Sequence, residues 1–132
     1  MHGKNISVHP IHLGLGATAV SETAFTGDMS WYEDYQTRHA ADGAEARIVA
    51  MHSFSAPWPM WEMHPAGAEV VLCTEGSMTL HQEGPDGQVT TITLGPGEYA
   101  INAPGVWHTA DIDDNATALF ITAGKDTQHR PR

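Results

Sequence analysis

The sequence has little cysteine, little positive charge and no long apolar run. Cys73 is the single cysteine among 132 residues, so no intrachain disulfide can form, which suits a reducing compartment. Six Lys and Arg stand against sixteen Asp and Glu, the formal net charge is -10, and no basic run occurs. Because nucleic acids and anionic membranes bind clustered Lys and Arg, neither is expected as a partner.

No apolar stretch approaches the roughly 18 residues that a membrane span needs. The first twenty residues contain Lys4 and three histidines and lack the apolar region of a signal peptide. We therefore expect a cytoplasmic protein. The length suits one domain with its own core, and 41% hydrophobic residues with 17% charged residues are typical of a globular chain.

The second half of the chain alternates short apolar or β-branched runs with Gly, Pro and Asp turns, the pattern of successive strands. About eight strands are predicted, over residues 46–54, 60–64, 69–74, 77–82, 89–94, 98–102, 106–112 and 116–122. Many short strands with tight turns predict an all-β antiparallel sandwich or barrel, and a jelly roll is the natural choice.

The two ends of the chain are less regular. Residues 31–44 lack a clear apolar stripe and are predicted to form a loop with at most one helical turn. We predict a single domain over 1–132, with an N-terminal extension (1–45), a barrel (46–122) and a polar tail (123–132) that is disordered by default. The extension would cover an open barrel edge or pair with a second copy, so a homodimer is expected.

Histidine and glutamate side chains recur at telling positions. Side chains alternate along a strand, so Glu62 and His64 share a face, and an antiparallel neighbour can place Glu69 beside His64. His108 follows a later tight turn. Two imidazoles and two carboxylates form a mixed nitrogen and oxygen donor set that favours a divalent cation. A lone Glu-x-His pair is more often surface or core decoration, so the argument depends on the full spacing.

That spacing resembles the two signature motifs of the cupin superfamily. The matching positions are His64, Glu69 and Gly76 in the first motif and Gly97, Gly105 and His108 in the second. The departures are Ala56 for the leading glycine, Glu62 for the first histidine, Ala103 for the proline and Ile112 for the final asparagine.

The wider sequence is similar to a group of small bacterial cupins of unassigned role, of the cupin 2 conserved barrel type, in which glutamate at the first ligand position is normal. The shared segments are 61–69, 104–108 and a tail at 127–131. The resemblance implies a cupin double-stranded β-helix barrel. It also implies one divalent metal ion (Fe, Mn, Zn or Ni) held by Glu62, His64, Glu69 and His108.

Similar cupins include dioxygenases, isomerases and decarboxylases, so the resemblance implies a metal-dependent enzyme acting on a small oxygen-bearing molecule. Four protein ligands would leave two positions of an octahedral metal open. Glu62 makes the set more anionic, which favours hard ions such as Mn(II) over the Fe(II) of a dioxygenase. The alternative is a non-catalytic ligand-binding or sensing cupin with a structural metal. A metal-free site ranks last, because it would bury two carboxylates without a cation.

Several neighbours are weaker candidates for the pocket, each with a surface or structural role as its alternative. Arg47 would clamp a carboxylate substrate if it faced inward. The other weak candidates are His52, His81, Tyr99, Asn102 and His129. Cys73 is expected to be a packed thiol, while Trp58, Trp61 and Trp107 would either wall the pocket or pack in the core or a dimer interface.

Overall fold

Two antiparallel sheets form the molecule in the computed structural model, which describes residues 1–132. The strands are β1 (Ile11–Gly14), β2 (Thr18–Ser21), β3 (Arg47–Phe54), β4 (Met60–Met63), β5 (Glu69–Gly76), β6 (Met78–Glu83), β7 (Val89–Leu94), β8 (Tyr99–Asn102), β9 (Trp107–Asp111), β10 (Ala116–Thr122) and β11 (Gln128–Pro131). The helix α1 covers Met29–Arg38, and short 3-10 turns cover Leu15–Ala17 and Ala40–Glu45.

The sheets have six and five strands. Their orders are β2-β1-β3-β10-β5-β8 and β11-β4-β9-β6-β7, with every pairing antiparallel. The N-terminal strand β1 pairs with β3, so the first sheet continues beyond the barrel strands into β1 and β2. The predicted all-β jelly roll of two antiparallel sheets is confirmed.

The core lies between the two sheets and follows the period-2 alternation of the strands. In β10 every second side chain is buried, and in β5 Val71 and Cys73 are buried on the same face as Glu69. Burial of this apolar surface is the main stabilising contribution to the fold. The core cluster consists of Val71, Cys73, Met78, Leu80, Leu94, Ala100, Ala110, Ile112, Ala116, Ala118 and Phe120.

The loop prediction for residues 31–44 is wrong, because α1 has ten residues. Asp28 caps its N-terminus by accepting a hydrogen bond from the Trp31 backbone N–H at 3.1 Å. Trp31 and Tyr35, four residues apart, bury one face of the helix. Tertiary packing of two aromatics thus replaces the apolar stripe that the sequence lacks. Neither α1 nor any other helix is long and apolar enough to cross a membrane.

The expectation of a disordered tail is also wrong, since residues 128–131 form β11 and pair with β4. The Arg130 guanidinium lies over the rings of Trp61 and Trp107, 5.2 and 4.5 Å from their centroids, and pairs with the Glu83 carboxylate. Alternation in β4 and β9 turns both tryptophans away from the ligand face, so they bind the tail and do not wall the ligand cluster.

Candidate metal centre

Four residues from three strands and one turn meet between the sheets. Glu62 lies in β4, and His64 directly follows the end of β4. Glu69 is the first residue of β5, and His108 lies in β9 opposite Glu62. The exposed fraction is 4% for His64, 3% for Glu69 and 1% for His108. The Glu62 side chain is 30% exposed, so the cluster opens to solvent on its side. All four offer a ligand atom within 4.8 Å of the others.

The distances join the four side chains into one cluster. His64 Nε2 lies 2.9 Å from Glu62 Oε1 and 3.1 Å from Glu69 Oε2. His108 Nε2 lies 3.2 Å from Glu69 Oε1. The residues that the sequence predicts as ligands are therefore brought together around one point.

The two histidine rings point their Nε2 atoms into this cluster with no hydrogen-bond partner. His108 Nδ1 lies 3.2 Å from the Val106 carbonyl oxygen, which can only accept, so Nδ1 carries the proton. His64 Nδ1 lies 2.7 Å from Thr127 Oγ1. Both Nε2 atoms are buried, and neither makes a hydrogen bond of acceptable geometry. Buried ring nitrogens are normally paired, so two unpaired Nε2 atoms beside two carboxylates fit a divalent cation.

The buried carboxylate of Glu69 is held by hydrogen bonds from both sides. Asn102 Nδ2 donates to Oε1 at 3.0 Å, and Thr122 Oγ1 donates to Oε2 at 2.6 Å. Gln82 Nε2 in turn donates to Asn102 Oδ1 at 2.8 Å, which turns the Asn102 amide toward the carboxylate. Each oxygen keeps a further lone pair for a cation, and the carboxylate has no freedom to rotate away.

The electrostatics of the metal-free cluster follow from the same contacts. Burial lowers the pKa of His64, but the Glu62 and Glu69 carboxylates outweigh burial and raise that pKa to about 9. For Glu69, burial raises the carboxyl pKa, but the rings of His108 and His64 outweigh it, and the pKa lies well below its usual range. The cluster thus favours positive charge, whether it comes from protons or from a metal ion.

Aromatic side chains line the cluster toward the six-stranded sheet. Trp58 lies edge-on to the His108 ring at a centroid distance of 6.4 Å and packs against Phe54 and Phe120. His52 contacts Phe120. Burial lowers the pKa of His52, and the charge of Glu62, which raises that pKa, is too weak to offset it. Apolar walls of this kind exclude water and strengthen electrostatic interactions inside the site.

Three of the weaker candidates, Arg47, Tyr99 and His81, do not reach the cluster. Arg47 is exposed, because this first residue of β3 faces solvent, so it is a surface charge and the conditional role as a carboxylate clamp does not apply. Tyr99 is 63% exposed on the edge strand β8, and His81 Nε2 pairs with Asp111 at 2.8 Å. Cys73 is a packed thiol as predicted, and burial raises its pKa. His129 does reach the site, with Nε2 3.4 Å from Glu62 Oε2.

A second histidine cluster in the N-terminal region was not predicted. His12 uses both ring nitrogens, contacting Tyr35 Oη and Asp42 Oδ2 at 2.6 Å each. His39 Nε2 lies 3.1 Å from both Glu22 oxygens. The two rings stack at 3.6 Å and 13°, so their planes do not meet within ligand distance of both rings. This network therefore ties β1 to α1 rather than offering two in-plane lone pairs to one ion.

Sequence reasoning missed Thr122, Gln82 and Thr127, all of which support the ligands. A signal existed for Thr122. The inward positions of β10 are Ala116, Ala118, Phe120 and Thr122, so a single hydroxyl follows three apolar side chains on the buried face. A buried hydroxyl needs a partner, which here is Glu69. No local pattern marks Gln82 or Thr127, because their contacts depend on strand pairing.

Solved structures supply the comparison with known proteins. An oxalate oxidase shares 13% identity over 61% of this chain and 44% of its own, with a TM-score of 0.54. An oxalate oxidase bound to glycolate shares 12% identity over 62% of this chain and 45% of its own, with a TM-score of 0.55. A mutant oxalate decarboxylase from Bacillus subtilis shares 15% identity over 73% of this chain and 26% of its own, with a TM-score of 0.54.

This chain therefore spans less than half the length of each of these neighbours. No family model and no curated protein matches the sequence. Identities this low establish the fold and nothing about the reaction. The chain has the fold of the cupin superfamily.

Proposed function

We propose that this protein is a mononuclear metal-dependent enzyme of the dioxygenase or isomerase type, acting on a small oxygen-bearing organic substrate. One divalent ion (Fe, Mn, Zn or Ni) would be held by Glu62, His64, Glu69 and His108. The observation that carries the proposal is the pair of buried Nε2 atoms without hydrogen-bond partners, which face two carboxylates.

Residues around the four ligands would orient them and shield them from water. Gln82 and Asn102 orient Glu69, the Val106 carbonyl sets the ring of His108, and Trp58 keeps water from that ring. When bound, the ion would polarise or activate an oxygen-bearing ligand as a Lewis acid or redox centre. Glu62 is the most exposed of the four ligands, so substrate would enter past it.

The distribution of cations bears on the charge of the substrate. Lys4, Arg47 and Lys125 are exposed. The other three cations pair with carboxylates outside the cluster: Arg38 with Glu22, Arg130 with Glu83 and Arg132 with Asp111. Two carboxylate ligands would neutralise a divalent ion. No arginine or lysine lies at the cluster to bind a second substrate carboxylate. A neutral or singly charged substrate is therefore favoured over a dianion such as oxalate, which the neighbours' names mention.

Turnover assays test the proposal. Metal-free protein would be loaded in turn with Fe(II), Mn(II), Zn(II) and Ni(II), then screened for oxygen uptake and product formation with small neutral and monoanionic hydroxy- and keto-compounds. We expect turnover with one metal that disappears in His108→Ala. A compound that raises the melting temperature of the loaded protein but stays unchanged would instead indicate a ligand-binding or sensing cupin with a structural metal.

A homodimer is part of the proposal. β2 ends the six-stranded sheet with one edge unpaired, and all four of its residues are exposed. An open strand edge favours pairing with another chain. Light scattering on the purified protein is expected to give twice the mass of the 14.2 kDa chain, and a monomeric mass would refute this part.

A further inference from the structure

The C-terminal strand runs directly past the ligand cluster. After β10 the chain turns through residues 123–127, where Asp126 adopts a φ of 62°, and it crosses to the other sheet. β11 then pairs with β4 in a register that sets His129 opposite Glu62 and Gln128 opposite Met63. The tail is thus placed beside two of the four ligands by backbone pairing.

Thr127 fixes the protonation pattern of the His64 ring. A threonine hydroxyl has one proton, and Thr127 Oγ1 donates it to the Gly124 carbonyl at 2.9 Å. Its contact with His64 Nδ1 at 2.7 Å must therefore accept a proton from the ring. In the neutral ring the proton stays on Nδ1, and the buried Nε2 is left to present its lone pair to the cluster.

His129 lies against the outer oxygen of Glu62. Its Nε2 is 3.4 Å from Glu62 Oε2, while Glu62 Oε1 lies 2.9 Å from His64 Nε2. Two residues that follow His129 anchor the strand. Arg130 is held between two tryptophan rings, and Arg132 Nη1 pairs with Asp111 Oδ1 at 2.8 Å. The Glu62 carboxylate is partly exposed and can change rotamer, so a neighbour carried by the tail restricts it.

We propose that β11 and the residue before it, Thr127, form a positioning segment of the metal centre, in which Thr127 holds the His64 ring with Nε2 free to ligate and His129 holds the Glu62 carboxylate in its ligating orientation. The proposal depends on the proposed metal site. It adds that the tail, which contributes no ligand, sets the affinity and geometry of the centre.

Paired variants distinguish the effect of the Thr127 hydroxyl on metal binding from the effect of side-chain packing. Thr127→Val keeps the shape and removes the hydroxyl, Thr127→Ser keeps the hydroxyl, and His129→Ala removes the ring. Gln128→Ala, in the same strand and exposed, is the control. Each full-length protein would be titrated with Co(II), and its visible absorption spectrum and melting temperature recorded. We expect about tenfold or more weaker binding for Thr127→Val, with near wild-type binding for Thr127→Ser and Gln128→Ala.

His129→Ala is expected to weaken Co(II) binding and to alter the d–d absorption without lowering the melting temperature below that of Gln128→Ala. Wild-type affinity in Thr127→Val, or equal losses in Thr127→Val and Thr127→Ser, would overturn the role of the hydroxyl. An unchanged affinity and spectrum in His129→Ala would overturn the role of the ring.

A second readout needs no metal. Nitrogen-15 NMR of metal-free protein, recorded at rising pH until the ring signals stop shifting, reports which nitrogen of the neutral His64 ring carries the proton. We expect the Nδ1–H form in wild type and Thr127→Ser and a shift toward the Nε2–H form in Thr127→Val. Identical ring signals in all three would refute the positioning role. Failure of wild type to bind any Co(II), with the tautomer shift present, would refute only the proposed metal centre.

Discussion

Replacing Thr122 by valine tests how firmly the fold holds the carboxylate of Glu69. Thr122 Oγ1 donates to Glu69 Oε2 at 2.6 Å, and the two residues are 8% and 3% exposed, so water has no room to replace the lost donor. Valine keeps the shape and removes the hydroxyl. A hydrogen bond to a charged group contributes about 1.5–3 kcal/mol, and Asn102 still serves the other oxygen, so a loss of about 2 kcal/mol in the free energy of unfolding is expected.

The assay is urea denaturation of chelator-treated protein at pH 7, followed by tryptophan fluorescence. For a chain of 132 residues the same loss lowers the melting temperature by about 7 °C. Thr117→Val is the matched control, because Thr117 lies on the same strand and makes only an exposed hydroxyl contact with Ser53. That change is expected within about 0.5 kcal/mol of wild type. Equal stability of Thr122→Val and Thr117→Val would refute the reasoning.

Two further predictions concern pH and one turn. The pKa of His64 is raised from 6.5 to about 9 in the folded metal-free protein, so its stabilising contribution is complete below pH 6.5 and disappears as pH rises through 9. Thermal melts should therefore show a loss approaching 3 kcal/mol over that range, and His64→Gln should abolish that loss; a flat wild-type profile would contradict it. Gly76 has a φ of 70°, and a Cβ there would lie 2.1 Å from the Asn115 carbonyl oxygen. Gly76→Ala is expected to destabilise by about 3 kcal/mol or more, against about 1 kcal/mol for Gly87→Ala, which has positive φ and open space, and equal melting temperatures would count against this packing.

The barrel strands could be predicted from sequence because their signals are local. Alternation and turn residues predict runs such as 89–94 and 116–122, and the structure has strands with the same bounds. The four candidate ligands were selected by spacing, and the structure brings them together. The strand inference depends on patterns within a few residues, and the ligand inference depends on the spacing within two short motifs in residues 56–112.

The features that the sequence did not predict depend on packing between residues far apart in the chain. α1 forms because Trp31 and Tyr35 bury against the rest of the N-terminal region, and a mean hydropathy argument over residues 31–44 does not contain that information. The tail becomes a strand because Arg130 meets two tryptophans that are far away in sequence. The contact between Thr127 and His64 spans 63 positions, so only the fold reveals it.

Metal content is the measurement that tests the central claim most directly. Untagged wild-type protein would be analysed by inductively coupled plasma mass spectrometry beside Glu62→Ala and His108→Ala, with His81→Ala as the control because its ring pairs with Asp111 outside the cluster. The account predicts close to one equivalent of a divalent transition metal in wild type and in His81→Ala, and a loss in both ligand variants. A wild-type protein that carries no metal and takes none up on reconstitution would contradict it.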